Sequence, residues 1–72
     1  MAEEVIKELG VSQYRARHHG EVCRIEIGED DFPVVFESKN RSFLVESLRK
    51  IGYKHVALDL AGYRTGSTNG LS

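Results

Sequence analysis

The stretch Tyr14-Arg-Ala-Arg-His-His-Gly-Glu-Val-Cys-Arg-Ile-Glu-Ile27 consists of two alternating runs hinged at Gly20, and its reading decides the fold. Side chains on a strand alternate between two faces. Tyr14, Ala16 and His18 therefore point one way and Arg15, Arg17 and His19 the other, while Cys23, Ile25 and Ile27 form an apolar row opposite Val22, Arg24 and Glu26. The pattern predicts a β-hairpin with one face on a core and a polar face crowded with arginine. Two registers keep these faces apart, since a slip by one residue would turn a whole strand over. A two-residue His19-Gly20 turn pairs Ala16 with Cys23, Tyr14 with Ile25 and Arg15 with Arg24. A four-residue loop instead sets Arg15 opposite Glu26 and Arg17 opposite Arg24. In either register two arginines face each other, an unfavourable pairing that is relieved by Glu26, Asp59 and solvent or by a bound anion.

Outward from the hairpin, Ala2 to Leu9 place Val5, Ile6 and Leu9 on one side of a short first helix, with Glu3 and Glu4 near its positive end and Gly10 closing it. Beyond Gly28, the acids Glu29, Asp30 and Asp31 offer N-caps to a helix entered through Phe32-Pro33, with Phe32, Val35 and Phe36 as its apolar face. This acidic run reads as a capping feature rather than a metal site. Asn40 is the expected N-cap of a third helix, on which Phe43, Leu44, Leu48 and Ile51 recur at helical spacing before Gly52. Lys39, Arg41, Arg49 and Lys50 read as its solvated face. Tyr53 to Leu60 is a last strand, with Val56, Leu58 and Leu60 inward and Ala57 and Asp59 outward. The expected fold class is α+β, a small single domain over residues 1–72 in the order α-β-β-α-α-β, with a three-stranded sheet and helices on one face. Its ordered body spans about 2–61, and a glycine-rich tail follows over 62–72.

Seventy-two residues allow one thin core, because a domain of this size buries only about 60% of its unfolded surface. A net charge of −1 gives no general attraction to nucleic acid or anionic membrane, so anion binding has to come from local clustering. Cys23 is the single cysteine, which excludes an internal disulfide; on the apolar row it reads as a buried, inert thiol. No apolar run is long enough to span a membrane and no signal-peptide pattern opens the chain, so a cytoplasmic location is the expectation.

The chemistry available on the polar face is that of Arg15, Arg17, Arg24 and Arg64 as donors, with Glu26 and Asp59 among them. A planar guanidinium fork suits phosphate, and a carboxylate set between arginines locks their rotamers or shares a hard cation with the phosphate. The tail Ala61-Gly-Tyr-Arg-Thr-Gly-Ser-Thr-Asn-Gly70 adds glycines and hydroxyls of a kind that cradle phosphate, or is a frayed terminus. Hydrolytic readings find little support. His18 and His19 fall on opposite strand faces, with His18 expected as a satisfied, partly buried histidine, Ser67 lacks a nucleophile-elbow context, and no spaced Cys/His set exists for zinc.

Several motifs in order carry a resemblance: Arg15-Ala-Arg-His-His-Gly, then Arg24-Ile-Glu-Ile, Lys50-Ile-Gly-Tyr, and Val56-Ala-Leu-Asp-Leu-Ala-Gly-Tyr-Arg-Thr-Gly-Ser-Thr-Asn69. From about Leu9 to Asn69 the chain resembles the C-terminal end of the LarE-like family, ATP-dependent sacrificial sulfur transferases of the PP-loop superfamily, also called ExsB-like. The resemblance implies a composite active site in which an N-terminal PP-loop domain or subunit binds ATP and Mg and adenylylates a carboxylate of a pyridinium mononucleotide, after which a protein cysteine gives up its sulfur. It assigns Arg15, Arg17, Arg64 and Ser67 to phosphate or substrate contact, and Glu26 to a catalytic role as metal or orienting ligand. The chain lacks a PP-loop signature, and Cys23 does not align with the sacrificial cysteine. It is therefore expected to hold no cofactor of its own, to be inactive alone, and to act with a PP-loop partner on a phosphate-bearing small molecule, with homo-oligomerisation open.

Two other readings stand beside this one. The element order is also that of a type II KH module, but Glu37-Ser-Lys-Asn40 lacks the Gly-x-x-Gly that clamps nucleotides, and the net charge disfavours nucleic acid. The other is a structural or oligomerisation domain whose arginine face packs on a partner protein.

Overall fold

The computed structural model describes residues 2–63. The elements run α1 (Ala2–Lys7), β1 (Tyr14–His19), β2 (Val22–Ile27), a 3-10 turn (Glu29–Asp31), α2 (Phe32–Phe36), α3 (Ser38–Ile51) and β3 (His55–Leu58). This is the α+β order expected from the sequence. The sheet has the order β1-β2-β3, with β1 antiparallel and β3 parallel to β2.

The hairpin takes the second of the two registers, with Arg15 opposite Glu26 and Arg17 opposite Arg24. Pairing continues one step further, to His19 and Val22, so the loop shrinks to Gly20-Glu21. Gly20 has φ +57° and Glu21 does not have a positive φ. A left-handed first residue followed by an ordinary one is the sign pattern of a type II′ turn, whose twist matches that of the flanking strands. The His19-Gly20 turn is excluded because it would put His19, a β-branch-free but Cβ-bearing residue, in the position that glycine fills without strain.

β2 is the central strand, and its apolar row is the floor of the core: Cys23 and Ile27 are fully buried and Ile25 nearly so. Ile6 from α1, Leu44 and Leu48 from α3 and Val35 from α2 cover it. Val11, in the link between α1 and β1, joins this core without any periodicity to announce it. Burial pushes the Cys23 thiol above its ordinary value, because a thiolate would lose its hydration there.

Several boundaries differ from the sequence reading, each for a local reason. α1 stops at Lys7 and unwinds through tight turns, with Leu9 and Gly10 donating to the carbonyls of Ile6 and Lys7. Asn40 does not cap α3. The helix begins at Ser38 with Glu37 at the cap position, and the Asn40 side-chain amide donates instead to the Val34 carbonyl at 2.8 Å and to Glu37 Oε1 at 3.3 Å, tying α2 to α3. Asp31 does precede α2, but its carboxylate accepts from the Ser12 backbone N–H at 3.3 Å rather than capping the helix. Phe36, the last residue of the five-residue α2, is 58% exposed and lies against the Phe32 ring instead of entering the core. Ile51, at the end of α3, is 37% exposed.

The last strand is four residues, not eight. After Asp59 the backbone turns, with Ala61 N–H donating to Asp59 Oδ1 and Gly62 N–H to the Asp59 carbonyl, which swings Leu60 outward to 72% exposure. The chain then returns to β2, where Tyr63 N–H donates to the Ile27 carbonyl at 2.7 Å. Gly62 has φ +83°, and a Cβ there would stand 3.2 Å from both the Ile27 carbonyl oxygen and Glu29 Cγ. His18 is exposed rather than partly buried, since β1 runs past the helical cover, and its Nδ1 lies 3.1 Å from the Tyr53 hydroxyl.

Leu48→Ala is expected to cost about 2–5 kcal/mol in a urea titration, because the side chain is fully buried against α1 and β2. Cys23 is expected to react with a thiol reagent only as fast as the chain unfolds. A folded-state thiol value raised above the unfolded value of about 8.5 keeps its proton while the unfolded chain loses one, so stability should fall as pH rises past that point. In Cys23→Ala that component of the slope disappears.

Candidate functional site

The polar face of the sheet is the one the helices leave open. β1 contributes Arg15 and Arg17, β2 contributes Arg24 and Glu26, and Asp59 joins from the end of β3. The parallel register sets Arg24 beside Ala57, a side chain too small to cover it, and this leaves a lane between Arg24 and Asp59.

Glu26 organises the face. It is 8% exposed although it carries a charge, a state that needs compensating partners. Arg17 Nε donates to Glu26 Oε2 at 2.8 Å, and Arg24 donates to the same oxygen from its terminal nitrogen at 3.3 Å. Arg17 reaches Glu26 on the diagonal across the hairpin, while Arg24 reaches it along the strand. The two like-charged residues that face each other across the ladder are thus held by one carboxylate between them. Arg24 Nε points the other way, 3.8 Å from Asp59 Oδ2, and is buried without a hydrogen bond among the described residues.

Arg15 stands directly opposite Glu26 yet forms no ion pair among the described residues. With Arg17, Arg24, His18, His19 and Glu3 it lines a shallow polar groove along the β1 side of the sheet. Three guanidinium groups, Arg15, Arg17 and Arg24, stand here against the carboxylates of Glu26 and Asp59, with Glu3 at the groove's edge. Arg17 spends its Nε on Glu26, so its fork is held with the two terminal nitrogens turned to solvent, where the side chain remains 44% exposed. Such an arrangement of one braced arginine and one unpaired arginine suits a doubly charged oxyanion.

The structure therefore brings together Arg15, Arg17 and Glu26 as the sequence grouped them. Arg64 and Ser67 lie outside the described residues. No group of three or more His, Cys, Asp or Glu side chains that could hold a metal ion occurs among the described residues. The sequence reading placed Glu3 at the positive end of the first helix and not at this face. Its carboxylate accepts from the Ala16 backbone N–H at 3.3 Å, covering the free edge of β1 beside the groove, and nothing local in the helix pattern marks it for this. No helix among the described residues is long and apolar enough to cross a membrane.

No family model matches the chain. Among curated proteins it is 37% identical over 71 residues to the pyridinium-3,5-bisthiocarboxylic acid mononucleotide synthase of Lactiplantibacillus plantarum, an alignment covering 94% of this chain and 24% of that protein. It is 31% identical over 68 residues to an uncharacterized protein of Synechocystis sp., again over 94% of this chain and 25% of the relative. The chain spans about a quarter of the length of the curated relatives it matches. By sequence, and with the fold expected of it, the chain belongs to the LarE-like family.

Proposed function

We propose that this domain holds the phosphate of a mononucleotide within the composite active site of an ATP-dependent sulfur transferase. The observation that carries the reading is the pairing of a buried glutamate with two arginines beside a third that has no ion pair among the described residues: Glu26 braces Arg17 and Arg24, and Arg15 stands next to them. The Lactiplantibacillus relative is named as the synthase of a pyridinium mononucleotide, a class of compound whose phosphate suits this donor set in charge.

In this reading Arg15 and Arg17 contact the phosphate oxygens, with Arg64 and Ser67 of the tail as further contacts. Glu26 acts first as an orienting residue. Both of its ion pairs fall on Oε2, so Oε1 is the atom left to join a metal whose remaining ligands come from outside this chain. Nucleotide adenylylation, ATP with its Mg, and the sulfur donor belong to a PP-loop domain or subunit, with which this domain acts in the cytoplasm; alone it catalyses nothing. The KH-like alternative is disfavoured by the link between α2 and α3, which is the single acidic residue Glu37.

Titration of the domain with a nucleoside monophosphate, pyrophosphate and sulfate should shift the backbone amides and arginine Nε–H signals of Arg15, Arg17 and Glu26, and Arg15→Ala should abolish those shifts. Shifts seen only after a PP-loop domain is added would mean that the two parts complete the pocket together. Indifference in both settings would overturn the phosphate role. Glu26→Gln removes the charge that braces both arginines; it is expected to cost about 1 kcal/mol of stability, since the pairs are partly exposed, and to weaken anion selectivity without abolishing binding.

A further inference from the structure

The two edges of the sheet are treated differently. On the β1 edge, α1 lies alongside and Glu3 takes up the Ala16 N–H. The β3 edge has no such cover among the described residues. His55 and Asp59 donate their N–H groups to Glu21 and Ile25 on the β2 side, and since strand groups alternate in direction, Val56 and Leu58 turn theirs to the open edge. Beneath that edge a mainly apolar groove is walled by Val56, Leu58, Val35, Leu44 and the exposed Phe36, with Arg41 as its one charged wall residue. An unpaired edge above an apolar groove is a template for another strand.

We infer that β3 pairs antiparallel with β3 of a second copy of this chain, about a two-fold axis at Ala57, to give a continuous six-stranded sheet. The charge pattern of the edge is what selects a second copy as the occupant. With Ala57 opposite itself, the outward-turned groups of Val56 meet those of Leu58 from the other copy, so the hydrogen-bonding residues face each other. The same register sets Val56 against Leu58 on the helix-covered face, apolar against apolar. On the open face it sets His55 against Asp59 of the other copy, twice by symmetry, and Asp59 is half-buried, with Arg24 Nε, 3.8 Å away, as its one charged neighbour among the described residues. A shift of two residues either way loses the His55–Asp59 pairs and sets Ala57 opposite His55 or Asp59. β3 has only four residues, so this contact is weak by itself, and Phe36 at the groove mouth adds the apolar area that a bare edge lacks. Both arginine faces come to lie on the same side of the enlarged sheet. The inference stands apart from the phosphate reading, because none of the residues it uses is assigned to phosphate.

The register places the two Ala57 residues as a non-hydrogen-bonded pair, with Cα atoms about 4.5 Å apart, within the range a disulfide spans. Ala57 is exposed, so Ala57→Cys should fold, and Cys23 is buried and silent. Under mild oxidation of the 72-residue chain, Ala57→Cys should form a disulfide-linked dimer faster than the exposed control Lys50→Cys by on the order of tenfold, because pairing raises the local thiol concentration. Adding His55→Glu, which faces Asp59 with a like charge, should slow that reaction roughly 3- to 10-fold, whereas His55→Lys should preserve it. Equal rates for Ala57→Cys and Lys50→Cys overturn the pairing. So does an Ala57→Cys rate that His55→Glu leaves unchanged, which would mean that the edge meets itself in another register or by chance collision.

Discussion

The carboxylate of Glu26 is the point at which the two halves of this domain's physics meet. It sits on the central strand, back to back with the apolar row of Ile25 and Ile27, and is nearly as buried as they are. A charge in that position is tolerated because Arg17 and Arg24 supply donors from two directions. The arginines in turn could not face each other across the ladder without a negative group between them. Removing any one of the three changes the balance for the other two, so the polar face behaves as a unit rather than as scattered surface charge. The pairs remain partly open to water, which limits what they add to stability and leaves their outer nitrogens free for an anion.

That unit is placed by an ordinary small core. Ile6, Leu44, Leu48 and Val35 press on one face of β2, and the geometry of a pleated strand then fixes where Arg24 and Glu26 point. The route of the chain after β3 has a similar effect at the other end. The Asp59 turn brings Tyr63 back to Ile27 through Gly62, where only a residue without a side chain fits the conformation and the close approach.

A sheet of three strands has two edges, and the way each is treated bears on how the domain is used. One edge is closed by a helix and a glutamate, and the other is left open above an apolar groove. The chain spans about a quarter of its relatives' length, and Phe36 at the mouth of that groove stays exposed.

The sequence by itself determined the element order, the inward row of β2 and the company of Arg15, Arg17 and Glu26, because strand alternation and helical spacing are local properties that side-chain type records directly. It narrowed the hairpin to two registers and could not choose, since both satisfied the same alternation. The tertiary structure decided that choice through the conformation of Gly20, and with it which arginine Glu26 would hold. It also decided what periodicity does not encode: Asn40 bonding back to Val34 instead of capping a helix, Leu60 turned outward by the Asp59 turn, Glu3 reaching the edge of β1, and Val11 entering the core from a link. Each of these depends on contacts between segments distant in the chain, and the free energy that settles them is that of packing and of satisfied backbone groups rather than of local propensity.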